Sequence, residues 1–93
     1  MSKVKISAED KREVEALLFH FGQQIHAGRK RQKITQADLG ELIGRNRLSS
    51  AQDIGKIENG LINISIEKAV RIASAMGMRL RFEWSPLPDN EKP

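Results

Sequence analysis

The chain has 93 residues, no cysteine, and a formal net charge of +4 from sixteen Lys and Arg against twelve Asp and Glu. That length allows one domain with a modest core, and the lack of cysteine removes disulfides and thiolate metal sites. His20 and His26 fall on different sides of a helix with no soft ligand nearby, so neither a metal nor a cofactor is expected. No stretch is apolar enough to span a bilayer, and the polar start MSKVKISAED has no hydrophobic leader, so a cytoplasmic protein is expected.

Residues 1–6 read as a flexible N-terminus. Ser7 then offers an N-cap, with Glu9 and Asp10 in the first turn where the helix dipole favours acids. Val14, Leu17, Leu18, Phe21, Ile25 and Gly28 keep to one stripe as far as Gln32, which predicts one long helix or two nearly collinear ones bending at Gly22. Lys30 to Lys33 close it with cations at the negative end of the dipole. Thr35 is the next N-cap, with Asp38 three residues on as a partial capping box, and Leu39, Leu42 and Ile43 give the helix over 36–43 an apolar side. Gly44 is free to turn the chain with positive φ. Ser49 and Ser50 offer another cap, Ile54 and Ile57 a second apolar stripe over 50–58, and Asn59-Gly60 an end. Two short helices about a glycine-containing turn are the grammar of a helix-turn-helix, whose second helix lies in a DNA groove. The cluster Arg29, Lys30, Arg31 and Lys33, with Arg45 and Arg47 in the turn, stands where such a motif meets phosphates.

Leu61, Ile62 and Ile64 are expected to plug the core. Ser65 caps a fourth helix over 66–76 with Ile66, Ala69, Val70, Ala73 and Met76 facing inward, and Gly77 ends it. Residues 78–84 alternate strictly, with Leu80, Phe82 and Trp84 on one face and Arg79, Arg81 and Glu83 on the other, which predicts a half-buried β-strand. No other segment reads as a strand, so the expected partner is the same strand of a second copy, Phe82 against Phe82, Leu80 against Trp84 and Arg81 against Glu83. The domain is expected to run over 7–84, with 85–93 a disordered tail rich in proline and polar residues.

Thr35-Gln36, Leu39, Gly44 and the closing Lys56-Ile57-Glu58-Asn59-Gly60 are similar to the Cro/C1-type (XRE family) helix-turn-helix of phage repressors and their bacterial relatives. The likeness extends from Phe19 to Met78. It implies a mainly α, λ-repressor-like domain of four to five helices, followed here by the one C-terminal strand. It also implies a sequence-specific transcriptional repressor that binds double-stranded DNA at an inverted repeat as a homodimer. In this family Gln36 occupies the position that reaches a phosphate, and the positions that face base edges fall on Ala51, Gln52, Asp53 and Lys56. Gln52 suits adenine and Ala51 a thymine methyl, whereas a carboxylate at Asp53 is better used as a helix cap. Lys33, Arg45, Asn46, Arg47, Ser49, Ser50 and Asn59 complete the expected DNA-binding set. Arg29 and Glu58 match the family positions that form an ion pair between the first and third helices. Gly44 to Glu58 spans 14 positions, about four more than is usual in the family and close to one helical turn. That insertion, around Arg45 to Leu48, either lengthens the turn or adds a turn to the recognition helix.

A helix-turn-helix followed by a dimer-forming strand is similar in architecture to HipB-type antitoxins, homodimeric repressors that also hold a kinase-like toxin. The alternative function is therefore an antitoxin that neutralises such a toxin and represses its own operon. No nucleophile–base pair or phosphate loop points to an enzyme.

Overall fold

A computed structural model of the chain describes residues 6–44 and 49–92. Its four α-helices are α1 (Ala8–Gln32), α2 (Gln36–Leu42), α3 (Ala51–Glu58) and α4 (Ile66–Ala75). Each begins on a short hydroxyl side chain. Ser7, Thr35, Ser50 and Ser65 accept from the backbone N–H three residues on, at 3.0, 3.0, 3.1 and 3.0 Å. Such a bond satisfies one of the donors a helix start leaves open, worth about 1 kcal/mol each. The ends are equally local. After α3, Gly60 N and Leu61 N return to Ile57 O and Lys56 O; after α4, Gly77 N and Met78 N return to Ser74 O and Ala73 O. Lys33 makes the same turn after α1 at φ 58°, a left-handed conformation that a residue with a Cβ adopts only at some cost.

The core is formed by Ile25 of α1, Leu39 and Ile43 of the α2 end, Ile54 and Ile57 of α3, and Ile72 and Met76 of the α4 end. Ile62 and Ile64 pack against it from the connector, while Leu61 is exposed. α3 sits between α1 and α2, and α4 closes on α2. α1 runs through Gly22 as a single helix, and at Gly22 the end of α3 approaches its backbone closely. A Cβ there would stand 2.3 Å from the Glu58 carbonyl oxygen, so only glycine lets the backbones approach this way.

Besides Leu61, expected in the core and found exposed, three expectations need correction. Ile66 and Val70 are 66% and 48% exposed, and Ile72, fully buried, takes the inward position of α4. Only the C-terminal half of α1 enters the core: its buried residues are Gly22, Ile25, Gly28 and Arg29, while Leu17 is 59% exposed. The C-terminal strand is absent. Residues 78–84 have no ladder, and no strand occurs among the described residues. Alternation sets only which side chains share a face; a strand also needs a neighbour for its N–H and C=O groups, and the described residues supply none. The apolar face is correspondingly unburied, with Phe82 65% and Trp84 99% exposed and only Leu80 half-buried. Within the expected tail, Asp89–Glu91 forms one turn of 3-10 helix.

Candidate nucleic-acid interface

α3 divides by face. Ile54, Ile57 and Glu58 point inward and are buried, whereas Ala51, Gln52, Lys56 and Asn59 are exposed. Gln52, Lys56 and Asn59 recur at four and three residues, so they share one edge of the helix. Asn59 also folds its amide back, Nδ2 donating to Gly55 O at 2.9 Å. Asp53 is turned aside. Its carboxylate accepts from Ser50 Oγ at 2.7 Å and from Ser50 N at 3.3 Å in a capping box. The Ser50 hydroxyl, helped by the backbone bond and by the charges of Lys56 and Lys68, holds the Asp53 carboxyl below the usual aspartate range. Asp53 is therefore engaged in the start of α3.

Ser49 is half-buried ahead of this cap. Arg45, Asn46 and Arg47 lie outside the described residues. α3 itself is eight residues long and begins at Ala51, so the insertion adds no turn to this helix.

The start of α2 lies beside α3. Thr35 and Asp38 close a reciprocal capping box there, and the Thr35 backbone donor holds the Asp38 carboxyl below its usual range. Gln36 is half-buried, with its amide over Gly55: a Cβ at that glycine would stand 3.4 Å from Gln36 Nε2. A shallow depression lined by Arg29, Lys30, Lys33, Thr35 and Gln36 opens here, and Lys33 stands exposed at its edge. Cationic side chains beside a capped helix start suit phosphate contact.

Behind this surface, Arg29 and Glu58 form a buried ion pair, 7% and 4% exposed. Arg29 Nε donates to Glu58 Oε2 at 2.8 Å and Nη2 to Oε1 at 3.2 Å, while Nη1 donates to Ile34 O at 3.1 Å. Gln36 Nε2 donates to Glu58 Oε1 at 3.3 Å, and His26 Nδ1 lies 3.1 Å from the same oxygen. One carboxylate thus ties α1, the start of α2 and the end of α3 together, fixing the two motif helices relative to each other. Burial pushes the Glu58 carboxyl up, but hydrogen bonds from Arg29, His26 and Gln36 outweigh it, and the net direction is down from 4.5. A carboxyl lowered on folding adds stability above its unfolded pKa, and that stability is lost as pH falls through the folded value. The melting temperature is therefore expected to be insensitive to Glu58 near neutrality and to drop below about pH 4.5. Thermal melts of Glu58→Gln should show a shallower acid slope than the parent; an unchanged slope would contradict the assignment.

Two residues of this arrangement carried no sequence expectation as part of the motif. His26, exposed on the surface of α1, stands one turn before Arg29 and faces the same carboxylate, a spacing the sequence shows. Arg71 of α4 donates to Ile43 O at the end of α2, bracing the motif from behind. Nothing in the sequence sets Arg71 apart from other exposed arginines.

No curated protein and no solved structure matches the chain significantly. A family model described as helix-turn-helix matches residues 25–82, which includes α2, α3, the Arg29–Glu58 pair and α4. With a capped α2 leading into an α3 that buries isoleucines and exposes Gln52 and Lys56, this match makes the chain a member of the Cro/C1-type (XRE) helix-turn-helix family of DNA-binding transcription regulators.

Proposed function

We propose that the protein is a repressor that binds an inverted-repeat operator as a homodimer, each copy laying α3 in one major groove. The observation that supports this reading is the division of α3: a fully committed inner face and an outer edge whose Gln52 and Lys56 are exposed and aligned. Gln52 reads sequence, since its amide matches the donor–acceptor pair on adenine, and Lys56 reaches an acceptor on a base or a phosphate. Lys33 and the start of α2 anchor the backbone without reading bases.

Two substitutions separate these roles. Gln52→Ala is expected to relax base preference at one position per half-site, costing on the order of 1–3 kcal/mol on the preferred sequence. Lys33→Gly keeps the left-handed turn, because glycine adopts φ 58° without strain, and removes the charged side chain. It is expected to weaken all sequences alike and to reduce the salt dependence by about one phosphate contact per subunit. A binding-site selection in which Gln52→Ala leaves the preference unchanged would sink this register for the recognition helix.

A further inference from the structure

The N-terminal half of α1 runs past the core with its apolar side open. Asp10, Val14, Leu17, Phe21, Gln24, Gly28 and Arg31 follow one another at alternating steps of four and three, the spacing of a helix-packing seam. At the C-terminal end Met76 already covers Gly28, with its sulfur 3.0 Å from where a Cβ would stand. At the other end Val14, Leu18 and Phe21 are only half-buried, and Leu17 is exposed.

Beside the seam lies a groove of about 530 Å³ between α1, α4 and the segment after α4, lined by Phe21, Gln24, Arg31, Met76, Met78 and Leu80 among others. Its floor is apolar. Arg31, Arg79 and Arg81 line it, no carboxylate does, and none of the three forms an ion pair among the described residues. The open half of α1 has the complementary character: an apolar stripe bordered by Glu9, Asp10, Glu13 and Glu15, against Lys11 and Arg12.

Resting on the homodimer reading above, we propose that the N-terminal half of α1 from a second copy lies in this groove, the two α1 helices antiparallel about a two-fold axis near Phe19. That register sets Leu17 of one copy against Phe21 of the other, twice by symmetry, and Val14 against Gln24. Arg31 then falls within about one helical turn, roughly 5 Å, of Asp10 on the other copy. Acidic start meets basic end at both ends of the overlap, and the helix dipoles oppose. An isologous contact of this kind closes on itself and leaves a discrete dimer. Phe82 and Trp84, two and four residues beyond the groove's Leu80, are 65% and 99% exposed.

Charge reversal tests the pairing. Asp10→Arg sets arginine against Arg31 in both contacts, and Arg31→Asp sets aspartate against Asp10. Each variant alone is expected to weaken self-association by at least about tenfold in sedimentation. An equimolar mixture restores both opposite-charge pairs in a heterodimer and is expected to return to near wild-type association. Leu17→Asp, at an exposed position, should give a monomer that no mixture rescues. If the wild-type chain dimerises and neither charge variant shifts it, or the mixture stays monomeric, this interface is wrong while the homodimer stands. A wild-type chain that is monomeric at high micromolar concentration, alone and on the operator, overturns both, and the open α1 face then belongs to a different protein.

Discussion

Arg29→Ala is expected to destabilise the fold by about 3–5 kcal/mol, because it strands the Glu58 carboxylate in a site only 4% exposed. Against a total of roughly 5–15 kcal/mol for a domain, that is a large fraction. Two things are lost together: two guanidinium bonds to the carboxylate and the Nη1 bond to Ile34 O. Glu58→Ala is expected to cost a similar amount and to leave Gln36 without its acceptor at the α2 start. The paired change Arg29→Met with Glu58→Leu should recover much of the loss, since replacing both charges removes the desolvation cost as well as the attraction. Urea unfolding with matched m-values measures all three. A loss below about 1 kcal/mol for either single change would make the pair a surface ornament.

What the sequence makes legible here is what depends on residues three or four apart. Ser7, Thr35, Ser50 and Ser65 stand at helix starts because a hydroxyl can reach the N–H three residues on, whatever surrounds it. Gly60 and Gly77 stand at helix ends for an equally local reason. Burial is less local. Val70 and Ile72 differ by two positions on α4, and only the way α4 packs on the rest of the core decides that Ile72 is buried and Val70 is not. The stripe on α1 is continuous in the sequence, yet the core covers it only from Phe21 onward, since nothing in periodicity tells how far a neighbouring helix extends. Residues 78–84 show the same limit for strands. Their alternation is real, but a ladder is a property of two segments, and pairing was inferred from one. Within the site, the face of α3 follows from helical spacing, whereas the closing of His26 and Gln36 on one carboxylate follows from how α1 and α2 meet it.

The most direct test of the account is the comparison of two duplexes at one moderate salt concentration: one carrying an inverted repeat from the protein's own promoter, the other of random sequence. Phosphate contacts proposed for Lys33 and the start of α2 would act on both alike and set a common baseline that falls steeply with salt. On the proposed reading, Gln52, Lys56 and their neighbours on the exposed edge of α3 distinguish the two. With two recognition helices engaged about one DNA turn apart, roughly 34 Å, the inverted repeat is expected to bind at least ~10³ more tightly, or about 4 kcal/mol. Footprinting should then show protection of both half-sites at the same protein concentration. Equal affinity for the two duplexes across the salt range would contradict sequence reading by α3 and leave only a basic surface.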